Sequence, residues 1–80
     1  MSKDFYKKKI IDLRTKLDKE KYAKKKDNER YAGYVKSASS TDRKAYYRKQ
    51  KVDASARHDR NMEYIKREIE RAKEALKREK

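Results

Sequence analysis

Apolar side chains recur along this chain at alternating steps of four and three. In the first half Tyr6, Ile10, Leu13 and Leu17 follow that rhythm, and its phase carries on to Tyr31 and Tyr34. In the second half His58, Met62, Ile65, Ile69, Ala72 and Leu76 follow it too. A step averaging 3.5 residues draws one apolar stripe along an α-helix, the kind that packs against a matching stripe in a coiled coil. The chain has no proline and a single glycine, Gly33, so the usual punctuation of turns and strands is missing. The one break is Ser37-Ala38-Ser39-Ser40-Thr41-Asp42. Its hydroxyls and carboxylate can accept the free N–H groups of a helix start, and Ser39 with Asp42 has the spacing of a loose capping box. The pattern predicts a helix over 4–36, a bend over 37–41 and a helix over 42–78, in one domain covering 1–80.

The two stripes also match each other. If the chain reverses near residue 40, facing residues should have numbers adding to a near-constant total. Leu17 with Met62, Leu13 with Ile65, Ile10 with Ile69, Tyr6 with Ala72 and Tyr34 with Ala45 all give 78 or 79. The expected fold is therefore all-α, an antiparallel two-helix coiled-coil hairpin. Two long arms with so few apolar residues make a thin core. Phe5, Ile11, Tyr22, Tyr46, Tyr47 and Tyr64 are expected to stay partly exposed, and dimerisation into a four-helix bundle would cover them. On the outer faces, Asp4–Lys8, Asp12–Lys16, Asp53–Arg57, Glu63–Arg67 and Glu74–Arg78 are spaced as ordinary solvated helix pairs.

The middle of the seam is polar. Glu20, Lys24 and Asp27 fall at inward positions opposite His58, Ser55 and the Lys51/Val52 pair. Glu20 and His58 are expected to share a hydrogen bond, and Lys24 to lay its stem along Ala54, Ser55 and Ala56. The heptad stutters between Val52 and His58, which alters the supercoil there. Gly33 sits inside the first predicted helix, where it costs about 1 kcal/mol relative to alanine. Close approach of another backbone, or fraying toward the bend, would each account for it.

Charge changes the picture more than length does. Of 80 residues, 27 are Lys or Arg and 14 are Asp or Glu, a net charge of +13, and 51% of the chain is charged. A surplus of that size favours an anionic partner: nucleic acid, a ribonucleoprotein or an acidic protein surface. Helix two is basic and amphipathic, but it lacks tryptophan and carries many acids, unlike helices that lie in a membrane surface. The opening residues lack the apolar stretch of a secretory signal, and no segment is apolar enough to span a bilayer, so the expected home is the cytoplasm. With no cysteine and one histidine, the chain has no set of nucleophile, base and orienter and no group of metal ligands. An enzyme, a cofactor and a small-molecule substrate are not expected.

Residues 43–52 carry five basic side chains and two tyrosines with no acid. In the hairpin they lie across from Lys24, Lys25, Lys26, Arg30 and Lys36. Residues 21–60, the bend half, hold 13 basic and 5 acidic groups, against 14 and 9 in the remainder. Lys and Arg neutralise phosphates, and tyrosine stacks on unpaired bases. The candidate contact set is Lys24, Lys25, Lys26, Arg30, Lys36, Arg43, Lys44, Tyr47, Arg48, Lys49 and Lys51. The same residues also fit a structural module, in which the tyrosines pack at the seam or between two copies and the lysines keep the protein soluble.

The stretch Ser37-Ala-Ser-Ser-Thr-Asp-Arg-Lys, followed by Ile65-Lys-Arg-Glu-Ile-Glu-Arg-Ala-Lys-Glu-Ala-Leu, resembles small coiled-coil hairpins encoded by bacterial mobile elements. Similar pieces precede Toll/interleukin-receptor-like effector domains in defence proteins, and free-standing phage proteins of this size and charge include anti-CRISPR proteins. The resemblance implies a phage or mobile-element regulatory protein of the anti-defence type, engaging nucleic acid or a complex that handles it.

Overall fold

A computed structural model describes residues 2–79. It contains α1 (Lys3–Ser37) and α2 (Thr41–Arg78), which pack along their lengths as an antiparallel hairpin. Ser2 caps α1 by accepting the Phe5 N–H (3.3 Å), and Asp4 places a negative charge in the first turn. The bend is only Ala38-Ser39-Ser40. Its capping residue is Ser40, whose Oγ accepts the Arg43 N–H at 3.2 Å, so the start signal falls one position later than the Ser39–Asp42 spacing suggested. Ser37 closes α1 from the side chain, its hydroxyl donating to the Gly33 carbonyl at 3.0 Å.

The hairpin measures 62 × 14 × 11 Å between Cα atoms and has a radius of gyration of 18.1 Å. A compact chain of this length would have a radius near about 12 Å. Its accessible surface is 6434 Å², whereas a globular protein of this mass exposes about 5,100 Å². Two helices side by side leave most of each cylinder in water, and elongation is the cost of having only one seam.

The core lies toward the termini. Ile10, Leu13, Ile69 and Ala72 are buried there, with Leu17, Ile65 and Leu76 packed against them, as the matched stripes predict. Toward the bend the seam departs from that plan. Tyr31 is half-buried as expected, but Tyr34 and Ala45, expected to face each other, are both exposed, and Val35, Lys44 and Tyr47 are half-buried instead. Val52 is 66% exposed, and the inward residue at that level is Ala54, at 2%. The reason is a stutter on both helices. Inward positions run Leu17, Glu20, Lys24, Asp27 (with Asn28 beside it), Tyr31, Val35 on α1 and Lys51, Ala54, His58, Met62, Ile65 on α2. Each series contains two consecutive steps of four, which shifts the stripe around the helix and locally relaxes the supercoil. Carrying a strict heptad through that level keeps Tyr31 but misplaces Tyr34 and Ala45.

Gly33 has no atom within 4 Å of where a Cβ would stand, so no backbone of this chain approaches it. The helix ion pairs are also not those expected. Among the described residues they join positions three apart, Asp27–Arg30, Glu63–Lys66, Glu68–Arg71, Glu70–Lys73 and Glu74–Lys77, and none of the five anticipated four-residue pairs forms.

Candidate nucleic-acid interface

Three polar side chains replace apolar packing at the stutter. Glu20 and Asp27 lie seven residues apart on α1, two turns, on the side facing α2. His58 reaches between them, its Nδ1 at 2.6 Å from Glu20 Oε1 and its Nε2 at 2.6 Å from Asp27 Oδ2. The expected Glu20–His58 contact is present, and Asp27 joins it. An ionised carboxylate can only accept, so satisfying both contacts requires a proton on each ring nitrogen, the imidazolium form. The hydrogen bond to Asp27, then that to Glu20, raises the His58 pKa above its ordinary 6.5. The bond to His58 is also the largest cause lowering the pKa of Glu20, from 4.5, and of Asp27, from 3.8. Asn61 donates to Glu20 (3.1 Å), and Arg30 donates to Asp27 (2.8 Å). With both nitrogens held by carboxylates, His58 keeps the hairpin in register and has no free nitrogen to offer a metal or a substrate.

Lys24 lines one groove with Ser55 and Ala56. It crosses to Asp59 (Nζ–Oδ1 2.6 Å), while Ser55 donates to Asn28 at 2.7 Å. The groove has a volume of about 700 Å³, with Lys24, Arg48 and Lys51 around Val52, Ser55 and Ala56. Lys24 there is already neutralised by Asp59, whereas Arg48 and Lys51 hold no ion pair among the described residues.

At the bend, four tyrosines form a chain of ring contacts from α1 to α2. Tyr31 meets Tyr34 at 5.9 Å, Tyr34 meets Tyr47 at 5.3 Å, and Tyr47 meets Tyr46 at 5.4 Å between centroids. Such pairs add about 0.5–1.5 kcal/mol each beyond their buried area, so the chain of rings closes the hairpin where aliphatic packing is absent. Arg30 lies over Tyr31 (5.2 Å) and Lys26 over Tyr22 (5.3 Å). Tyr47, expected off the seam and assigned to the contact set, is instead half-buried inside this cluster, while Tyr34 and Tyr46 keep 43% and 58% of their surface exposed.

The eleven anticipated contact residues do not share one face. Lys24, Lys44, Tyr47 and Lys51 are half-buried; Lys25, Lys26, Arg30, Lys36, Arg43, Arg48 and Lys49 are exposed. At about 100° per residue, Lys25 and Lys26 point in different directions around α1, and Tyr46 and Arg48 lie about 200° apart around α2. They form a collar around the bend, with the groove on one side and the exposed tyrosines on the other. Counting charge along the sequence found the collar. The contact set leaves out Tyr46, although its exposure is expected, and Tyr34, expected at the seam; the contacts of Asp27 with His58 and of Asp59 with Lys24 appear only when the helices are laid together.

Among the described residues no group of three or more His, Asp or Glu is placed to hold a metal ion, and no helix is long and apolar enough to cross a membrane. Comparison with protein-family models, curated proteins and solved structures gave no match to this chain.

Proposed function

We propose that this chain is a non-enzymatic binding protein that engages nucleic acid through the basic collar at its bend. The observation that carries this reading is the way the bend half uses its charges. Its 13 cations face 5 carboxylates, and two of those five, Asp27 and Asp59, are engaged in contacts between the helices. Arg43 and Lys49, each three residues from the open ring of Tyr46 on α2, are exposed, and Arg48 is exposed on the groove side. Exposed cations next to an exposed aromatic ring are what a polyphosphate with accessible bases requires. The full engagement of His58 supports the non-enzymatic part of the reading. Titration of labelled RNA and DNA at increasing salt tests it: binding should be strong at low salt and weaken steeply as counterions compete. No binding at low salt removes the proposal.

A second reading, a module that pairs with itself or another helical protein, has its own observation. Ile11 is 61% and Val52 66% exposed on a molecule whose surface already exceeds that of a globule. It calls for a mass that rises with protein concentration, as sedimentation equilibrium would show. The resemblance to phage and mobile-element hairpins adds a biological setting to the first reading, occupation of a host complex that handles nucleic acid, which a pull-down from the native host would test.

A further inference from the structure

The arginines of this chain are distributed by helix and by face. Of the nine, seven are on α2, and five of these, Arg57, Arg60, Arg67, Arg71 and Arg78, fall at steps of three, seven, four and seven. That rhythm keeps them on one side of the helix, and each of the five is exposed. Tyr64, 64% exposed, lies in the middle of the row, and Tyr46 continues it toward the bend. Arg57 lies close enough to α1 for its charge to act on Glu20 and Asp27, and the rest of the row lies outside the seam, meeting the groove at Asp59.

Arginine on a helix surface is commonly neutralised by a carboxylate one turn away, and here the candidates are close in sequence. Yet Glu63 turns to Lys66 (3.6 Å) rather than Arg67, and Glu74 to Lys77 (4.0 Å) rather than Arg78. Glu70 is held by Lys73 at 3.4 Å. Of the five arginines only Arg71 has an ion pair among the described residues, to Glu68 at 2.9 Å. Lysines thus take up Asp59, Glu63, Glu70 and Glu74, and the forked guanidinium groups of Arg60, Arg67 and Arg78, better suited to binding phosphate oxygens in pairs, stay available.

Arg60, Tyr64 and Arg67 line one shallow depression of about 380 Å³. Its two carboxylates, Asp59 and Glu63, are each held by a lysine, Lys24 and Lys66. Arg60 and Arg67 are two turns apart, about 10 Å along the axis, which matches three steps of a stacked strand at about 3.4 Å each. The open Tyr64 ring stands between them.

We propose that the outer face of α2 is a second binding surface, specific for single-stranded nucleic acid, in which Arg60 and Arg67 hold backbone phosphates and Tyr64 stacks on an unpaired base. The inference rests on the reading of the protein as a nucleic-acid binder but places a separate contact some 20 Å or more from the bend, at about 1.5 Å per residue. A duplex satisfies the arginines and leaves the ring without a partner, because its bases are already stacked.

The chain has no tryptophan, so Tyr64→Trp and Tyr46→Trp each introduce a single reporter, one on this face and one at the bend. Both are titrated with oligo(U), oligo(dT) and a duplex of the same length, with overall binding followed by anisotropy of the labelled strand. The expected result is fluorescence quenching in the Tyr64→Trp variant by a single strand and little change with duplex. The oligo(U) and oligo(dT) arms then tell RNA from single-stranded DNA. Arg60→Ser with Arg67→Ser should lower the slope of log affinity against log salt by about 1.4, at about 0.7 per phosphate contact on single strands. Helix content, read by circular dichroism, should not change, since both side chains are exposed. Binding by anisotropy with quenching only in the Tyr46→Trp variant, or an unchanged salt slope, overturns this surface and leaves the bend reading standing. No binding in any arm overturns both.

Discussion

The pair of carboxylates gripping His58 predicts how stability depends on pH. His58 keeps only 12% of its side chain exposed, and Glu20 and Asp27 keep 22% and 21%. Hydrogen bonds to charged groups contribute about 1.5–3 kcal/mol each, and the lower end applies here because water still reaches the carboxylates. Losing both bonds should therefore cost about 3 kcal/mol, a large share of the total of roughly 4–12 kcal/mol expected for a chain of this length. His58 has a raised pKa in the folded state, so its contribution is fully present below the ordinary 6.5 and is lost as pH rises through the higher folded value. Glu20 and Asp27 have lowered pKa values, so theirs is present above the ordinary 4.5 and 3.8 and is lost as pH falls through the lower folded values. The three contributions coexist between 4.5 and 6.5. Urea unfolding followed by circular dichroism should give a stability maximum in that interval and a decline toward alkaline pH. The single histidine should titrate above 6.5 in a proton NMR experiment. His58→Leu should abolish the alkaline decline and lower the maximum by about 3 kcal/mol, because both carboxylates lose their donor. Replacing Glu20, Asp27 and His58 together with leucine should restore or exceed the original stability, as replacing a buried ion network by apolar packing often gains about 1–4 kcal/mol. A parent profile that is flat from about pH 5 to 8, or a His58→Leu variant as stable as the parent in the acidic interval, refutes the argument.

Further outcomes follow from the packing. Gly33→Ala should stabilise the hairpin by about 1 kcal/mol in urea unfolding, since a methyl group there meets nothing and α1 gains helix propensity. Val52→Lys should change stability by no more than about 0.5 kcal/mol, whereas Ala54→Leu at the tightest point of the seam should cost about 1–3 kcal/mol; equal effects would place the stutter wrongly. Leu13→Asp should unfold the monomer, because Leu13 belongs to the core between the arms, while Ile11→Asp should leave helix content intact and reduce any concentration-dependent assembly.

The termini-proximal half of the fold was legible because its apolar residues are aliphatic and its heptad unbroken: Ile10, Leu13, Ile69 and Ala72 face one another where their numbering says they must. The bend-proximal half was not, and the cause is physical. Past His58 on α2 and Asp27 on α1 each helix advances by an extra fraction of a turn, so Tyr31 and Lys51 keep their expected places while Tyr34 and Ala45 turn outward. Tyrosine hides the shift, since a ring with a polar tip is acceptable inside, at the rim or in water. Hence Tyr47 could be read as a surface residue and Tyr34 as a seam residue, when their places are the reverse. Glu20 with His58 was readable because each has one chemically obvious partner at the matching register. Asp27 is expected inward but opposite the Lys51/Val52 pair, and its carboxylate reaches His58 instead. The ion pairs failed for a related reason. Glu63, Glu70 and Glu74 each have a lysine three residues on and an arginine close by, and spacing alone does not choose between them.

That choice matters for function. If the acids had paired with the arginines, Lys66, Lys73 and Lys77 would carry the open charge on α2 instead, as point charges without the planar fork of a guanidinium. By taking lysines at three-residue spacing, Glu63, Glu70 and Glu74 leave Arg60, Arg67 and Arg78 open on the side away from α1. The interior acids act in the same direction. Glu20 and Asp27 bind the protonated His58, and Asp59 binds Lys24, so the carboxylates nearest the middle of the molecule are directed into contacts between the helices. The net charge of +13 is unchanged by these choices, and what they set is which cations stay open. The polar layer that weakens the hairpin as a coiled coil is also what clears negative charge from the faces where a polyanion would lie. On this view the stability of the seam and the affinity for a partner are coupled through pH. As His58 loses its second proton, Glu20 or Asp27 is released, a negative charge returns next to the basic surface, and register and binding weaken together.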